Sequence, residues 1–193
     1  MAWLVAGLGN PEDRFARTRH NVGRMVAEAL LTAEGDRFRK VRFLPVEIGE
    51  IRIGDERVVV ARSTRYMNES GPGYASLAAK QRIDPETIVA VHDELDIPAG
   101  TIRVKFGGGN NGHNGLRSLE GALRTNDYAR VRIGIGRPPG RQDPADFVLE
   151  PIAKRDETEI ELLVAHGADA VRSLIVEGLE RTQDRFNRST PST

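Results

Sequence analysis

The sequence predicts a single α/β domain, a sandwich in which a twisted mixed β-sheet is flanked by helices. Three observations carry that expectation. Short apolar runs alternate with stretches of helical periodicity along the whole chain. Two of the runs are joined by a tight polar turn, so part of the sheet must be antiparallel. A length of 193 residues, with no repeat, low-complexity tract or interdomain linker, suits one hydrophobic core for residues 1–193.

Trp3 to Ala6 reads as a buried strand feeding the tight loop Gly7-Leu8-Gly9-Asn10-Pro11. Val22, Met25, Val26, Ala29 and Leu30 then recur on one helical face, with Asn21 placed to cap it. Val46 to Ile53 alternates apolar and polar residues, Gly54-Asp55-Glu56 turns, and Arg57 to Ala61 returns as the second arm of a hairpin. Ser70-Gly71-Pro72 opens a helix in the manner of a cap followed by proline, and that helix carries Tyr74, Leu77 and Ala78 inward. Thr87 to Val91 is another buried strand, ending in His92-Asp93-Glu94. Ile102, Val104 and Phe106 alternate as a strand into a glycine-rich loop, and Leu116, Leu119 and Leu123 follow it at helical spacing. Arg130 to Ile135 is the last clear strand. Ile160, Leu163, Val164, Val171, Leu174 and Ile175 mark a long amphipathic helix, expected to pack on the sheet. After Asn187 the tail is polar and expected to fray.

Composition narrows the function. With no cysteine, thiolate catalysis, disulfides and zinc-thiolate sites are excluded, and the expected compartment is a reducing cytoplasm. No apolar run approaches membrane-spanning length, and Met1 to Asn10 lacks the features of a signal peptide. No large exposed apolar stripe demands a partner, so a monomer away from membranes is expected. The formal net charge of zero argues against a general nucleic-acid coat. Charge is nevertheless segregated. Thr101 to Arg141 holds Arg103, Lys105, Arg117, Arg124, Arg130, Arg132, Arg137 and Arg141 against Glu120 and Asp127, whereas Asp143 to Glu161 is mostly acidic. That pattern suits either a basic face for phosphate beside the glycine loop or a solvated surface of mixed sign.

Polar residues able to do chemistry gather at element ends: Asn10, His20 and Asn21, Asn68, Asp93, then His113 and Asn114. The loop Gly107 to Ser118 exposes backbone at five glycines, which fits close approach of a ligand or a long turn before a helix that Asn114 caps. Strand ends on one sheet edge can converge on one cleft. Such a cleft would hold imidazole, carboxylate and carboxamides but no thiol and no serine elbow, so the expected nucleophile is water. An imidazole such as His20 can take a proton from water at neutral pH if a carboxylate such as Asp93 holds its other nitrogen, and asparagine donors can hold an oxyanion. Judged singly, each has a duller account: Asn10 as a turn former, Asn21 as a cap, Asp93 as a loop residue, His20 as a surface histidine. Only joint placement gives them weight. His20, His92, Asp93, Glu94 and His113 could instead supply metal ligands, but no pair has a recognised zinc spacing, and on an extended strand His92 and Asp93 face opposite ways. Gly7-x-Gly9 lacks the third glycine of a dinucleotide fingerprint. No cofactor or metal is expected.

Gly7-Leu-Gly-Asn-Pro11, Thr18-Arg-His-Asn21 with Gly23, Tyr66-Met-Asn-Glu-Ser-Gly71, His92-Asp-Glu-Leu-Asp96, Gly107 to Ser118 and Arg132 to Pro139 together resemble the bacterial peptidyl-tRNA hydrolases, in order and over roughly the whole folded chain. The resemblance implies hydrolysis of the ester between a nascent peptide and the terminal ribose of tRNA, without metal, in ribosome rescue and tRNA recycling. It implies that His20 is the general base, that Asp93 supports it, and that Asn10 discriminates peptidyl from unblocked aminoacyl substrates. Asn68 and Asn114 match substrate-binding asparagines, Asn68 as an oxyanion donor, with His113 beside them. Phe15 and Tyr66 match aromatic tRNA contacts, and Lys105 and Arg132 match a clamp on the tRNA 5′ phosphate. The sequence departs from the family pattern in four places. Phe15 stands for a tyrosine, Glu12 for a glycine, Arg62-Ser63 for Lys-Pro, and Asn111 for a glycine. Glu12 is expected to weaken binding of an anionic substrate slightly. Two rivals remain: RNA binding without hydrolysis, as in plant organelle splicing factors of this fold, and a metal-dependent esterase or amidase.

Overall fold

Alternation along the strands splits the core into two layers, one on each face of the sheet. The structure, a computed structural model, describes residues 1–188, so the polar tail from residue 189 on lies outside the described residues. In chain order the strands are β1 (Ala2–Gly7), β2 (Arg39–Lys40), β3 (Val46–Ile53), β4 (Glu56–Ser63), β5 (Ile88–Glu94), β6 (Ile102–Phe106) and β7 (Ala129–Gly134). The helices are α1 (Val22–Ala33), α2 (Gly71–Gln81), α3 (Asn114–Leu123), α4 (Pro144–Leu149), α5 (Glu157–Glu177) and α6 (Leu179–Phe186). Val5, Val58, Val60, Val89, Val91, Val131 and Ile133 turn to one face and pack on α1 and α5. Their neighbours Leu4, Ala6, Val59, Ala61, Ile88 and Ala90 turn to the other and meet Tyr74 and Leu77 of α2 and Leu116 and Leu119 of α3.

The sheet order is β2-β3-β4-β1-β5-β7-β6. β4, β1, β5 and β7 are parallel, while β2, β3 and β6 pair antiparallel at the two edges. This is the mixed sheet flanked by helices that the alternating pattern implies. It sets the carboxyl ends of the four parallel strands side by side, where such sheets hold ligands. Tyr74 of α2 ties two of those ends together: its hydroxyl donates to Gly7 O at 3.0 Å and accepts the Ser63 N–H at 3.1 Å.

Several local expectations change. β5 runs on through His92, Asp93 and Glu94, all buried, so these residues belong to the strand and not to a loop after it. Phe106 keeps the register of Ile102 and Val104 but is 42% exposed at the sheet edge. The expected long helix is α5 unbroken, and Gly178, at φ 84°, ends it and starts the short α6 that the spacing does not mark. Asn21 and Ser70 occupy the cap positions of α1 and α2, yet neither side chain caps. Asn21 is spent on Asn10, and Ser70 Oγ donates to Met67 O at 2.7 Å. The helix after the glycine loop is capped by His113 and not by Asn114, which is its first residue.

Helix α1 lies directly on the strand ends because Gly23 has no side chain. A Cβ there would meet Val91 O at 2.1 Å and Leu8 O at 2.8 Å, both main-chain atoms that cannot swing away. Overpacking of this kind should make Gly23→Ala unstable by about 3 kcal/mol in urea unfolding. Gly121→Ala, with nothing within 4 Å of the added carbon, should stabilise α3 by roughly 0.5–1 kcal/mol. A Gly23→Ala protein as stable as the parent would refute this packing.

Candidate active site

At the end of β1 the chain turns at Asn10, and the carboxamide of Asn21 clamps that turn from both sides. Its Oδ1 accepts the Asn10 N–H at 2.8 Å and its Nδ2 donates to Asn10 O at 2.9 Å. The Asn10 side chain is buried and its Oδ1 accepts the Met67 N–H at 2.8 Å, which leaves its Nδ2 as the donor available to a ligand. Asn68 follows Met67 in the 3-10 turn Met67–Glu69 and is exposed.

His20 precedes Asn21 in the turn Arg19–Asn21, and its Nδ1 lies 3.0 Å from Asp93 Oδ2. Arg19 holds this turn against α4 and α5 by stacking 4.6 Å over Phe147 and pairing with Asp156 at 3.3 Å. Asp93 turns to the α1 face of β5 and is only 4% exposed. Its second partner comes from the glycine loop, where His113 Nε2 lies 2.8 Å from Oδ1. Burial would push the Asp93 carboxyl up, but the charges and hydrogen bonds of His20 and His113 pull it well below the ordinary range. Burial likewise works to lower His20, and the charge and hydrogen bond of Asp93 outweigh it, so His20 titrates above its ordinary value of 6.5.

The tautomers follow from these contacts. His113 Nδ1 accepts the N–H groups of Gly115 and Leu116 as the cap of α3, so Nε2 carries the proton given to Asp93. An ionised carboxylate only accepts, so His20 Nδ1 also donates and its Nε2 is left with a lone pair. The cluster His20, Asp93 and His113 brings its ligand atoms within 4.8 Å of one another. Both facing nitrogens bear protons, however, and His113 cannot turn Nε2 into a ligand without losing the cap of α3. The geometry is that of a carboxylate holding two imidazoles.

This centre opens on a cleft of about 400 Å³ whose walls include Asn111, Asn114, Val148 and Leu149. Asn114 is exposed at its rim. A second cavity of about 340 Å³ lies on the other face of β5, lined by His92, Lys105, Arg130 and Arg132. Burial and mutual repulsion lower Lys105, while burial lowers Arg132. Glu94, Asp96 and Asn111 border both spaces, so the basic cavity and the cleft share a wall. Asn111, at φ 49°, donates to Glu94 at 2.9 Å and Asp96 at 2.7 Å. A larger, shallower hollow beside Arg39 and Glu50 holds none of these groups.

Tyr66 is 44% exposed, and its hydroxyl donates to Glu12. Glu12 also pairs with Arg14 at 2.5 Å, and Arg14 stacks 4.5 Å over Phe15. Phe15 and Tyr66 therefore belong to one surface group, and the carboxylate of Glu12 faces a cation of its own chain. Its carboxyl is lowered by the Tyr66 hydrogen bond and by Arg14.

The fold brings His20, Asp93 and His113 together, ties Asn10 to the neighbouring Asn21, and sets Lys105 and Arg132 in the adjoining cavity. Two residues named in the sequence take roles that it did not assign them. Arg130, fully buried, donates to Gly109 O at 2.5 Å, Gly108 O at 2.6 Å and Glu120 at 3.0 Å, which fixes the glycine loop. His92 is the other. The signal for both was register: each sits opposite-faced within an apolar strand.

The peptidyl-tRNA hydrolase family model matches residues 4–193. The peptidyl-tRNA hydrolase of Frankia alni is 49% identical over 96% of this chain and 93% of that protein. The peptidyl-tRNA hydrolase of Kineococcus radiotolerans is also 49% identical, over 96% of this chain and 97% of that one. Among solved structures, the peptidyl-tRNA hydrolase of Acinetobacter baumannii superimposes with a TM-score of 0.90 at 31% identity, covering 99% of this chain and 97% of that chain. A 5′-methylthioadenosine nucleosidase from Arabidopsis thaliana shares the fold alone, at a TM-score of 0.54 and 11% identity.

The contest between burial and Asp93 can be read directly. Titration of the His20 ring by NMR should give a midpoint above 6.5 in the parent. In Asp93→Asn only burial acts, and the midpoint should fall below 6.5. A variant midpoint still above that value would assign the shift to another group.

Proposed function

This chain belongs to the peptidyl-tRNA hydrolase family, and from that premise we propose how its residues divide the work of hydrolysing the ester between a peptide and the 3′ ribose of tRNA. His20 Nε2 takes a proton from water as the oxygen attacks the ester carbonyl. Asp93 fixes the tautomer and stabilises the imidazolium. Asn10 Nδ2 and the Asn68 carboxamide hold the substrate carbonyl and the negative charge that develops on it. The proton on His20 then passes to the departing ribose oxygen, so the base is restored as tRNA leaves. Asn10 also tells a blocked from an unblocked substrate, while His113 and Asn114 line the peptide side of the cleft.

Lys105 and Arg132 clamp the 5′ phosphate of the acceptor stem, and Phe15 and Tyr66 stack against the RNA near the 3′ end. Contacts of this kind position a duplex without reading its sequence, which suits an enzyme serving many tRNAs. Phe15 offers the stacking face without a hydroxyl. All of this fits one domain acting as a monomer in the cytoplasm, with no cofactor and no membrane contact. No helix among the described residues is long and apolar enough to cross a membrane. The single supporting observation is the His20 Nδ1 contact with Asp93 at 3.0 Å beside an open cleft.

The deciding experiment is turnover of an N-blocked aminoacyl-tRNA, with and without chelator. Activity should persist in chelator, and His20→Ala should lose about 10²–10⁴-fold in kcat with unchanged circular dichroism. Tight binding without release of the acyl group would favour the RNA-binding rival, and loss in chelator restored by zinc would favour the metal-dependent one. Because only neutral imidazole accepts the proton and His20 is raised, kcat/KM should climb with pH through a midpoint above 6.5. A midpoint below that value would remove His20 as the base. Lys105→Ala and Arg132→Ala should raise KM about tenfold with kcat nearly kept. An unchanged KM would leave the phosphate clamp without support.

A further inference from the structure

Beyond the end of β1, the β1-facing edge of β5 has lost its pairing partner. Leu8 N–H donates to Val91 O at 3.0 Å, and Gly7 and Val91 are the last paired residues of the two strands. The Asp93 carbonyl, two residues on, points to the same edge. On the opposite edge Glu94 O is satisfied by Ile135 N–H at 3.1 Å. A buried carbonyl beside the catalytic carboxylate would be left without a strand donor. His92 supplies one: its Nδ1 lies 2.7 Å from Asp93 O and, facing a carbonyl, must donate.

His92 is fully buried, and its ring stands edge-on to His113 with centroids 5.0 Å apart. The residue therefore touches both the main chain of Asp93 and the second imidazole on the Asp93 carboxylate. With Nδ1 donating, Nε2 is a bare acceptor, and it finds no partner. A histidine serving as packing alone would be a poor filler here, since an apolar ring would bury no orphaned ring nitrogen. Burial, then the charge of His113, hold it neutral by lowering it to about 3.

We propose that His92 is a positioning residue for the His20–Asp93 pair: its Nδ1–H replaces the missing strand partner of the Asp93 carbonyl, and its ring edge sets His113. The peptide plane of Asp93 is thereby fixed at the point where regular pairing ends, and with it the direction of the carboxylate. The inference rests on the hydrolytic reading above. Turnover by the parent tests that reading, and turnover of the variants relative to the parent tests this one.

The test exploits side-chain length. Asparagine places an N–H where histidine has Nδ1, whereas glutamine places its amide where histidine has Nε2. With N-blocked aminoacyl-tRNA, His92→Asn should keep kcat within about threefold, and His92→Gln and His92→Leu should each lose about tenfold or more while KM moves less than about twofold. Thermal melting accompanies each variant; if His92→Leu fails to fold, the asparagine–glutamine comparison decides. A folded His92→Leu with parental kcat would reduce the residue to core filling and overturn the proposal. Activity kept by His92→Gln and lost by His92→Asn would also overturn it, in favour of a role for Nε2 toward the basic cavity. Equal losses in all three variants would show that no single N–H does the positioning.

Discussion

One buried carboxylate organises this site. Asp93 is nearly inaccessible, and an isolated charge at such a depth would simply take up a proton. Two imidazole N–H donors from different parts of the chain keep it ionised. His20 comes from the turn before α1 and His113 from the cap of α3, so the charge is satisfied only when both faces of the sheet are in place. The ionised form in turn holds the proton of His20 on Nδ1 and leaves Nε2 bare. Folding and the protonation state of His20 are thus one problem with one solution.

That solution needs a glycine loop which is permissive in sequence yet held in place. Gly107, Gly108 and Gly112 have positive φ, which few other residues adopt without strain. Left free, the loop would surrender much conformational entropy on ordering. Arg130 opposes that by spending its terminal N–H groups on the carbonyls of Gly108 and Gly109 while its charge meets Glu120. A fully buried guanidinium is itself tolerable only because those acceptors surround it. The loop then carries Asn111 to the wall between the two spaces and His113 to the Asp93 carboxylate.

Much of this was legible in the sequence, and what was not has a common physical cause. Periodicity identified every long strand and the helices α1, α2, α3 and α5, because burial on one or two faces writes itself into residue spacing. Ordered motifs single out His20, Asp93 and Asn10 as candidates, and the first two meet in the structure. The errors arose where a polar side chain had two possible uses. Asn21 sits at a cap position, and only the approach of Asn10 shows that its carboxamide serves the neighbouring loop. The motif places His113 only beside the asparagines, whereas its two ring nitrogens serve the helix and the carboxylate at once. α4 and β2 were missed because six and two residues carry too little pattern to read. Glu12 looked like a stray negative charge, but Arg14 stands close enough to answer it.

The placement of the two cavities follows from a property that any strand has. Adjacent residues face opposite ways, so His92 and Asp93 of β5 open onto different spaces though joined by one peptide bond. The basic cavity and the cleft are therefore separated by a single strand and by the wall of Glu94, Asp96 and Asn111. Pairing with β7 continues through Glu94 and stiffens the interval between the two spaces, although pairing with β1 has ended at Val91. Where the pairing of β5 stops on the β1 side, that stiffness is weakest, and it is there that the His92 ring meets the main chain.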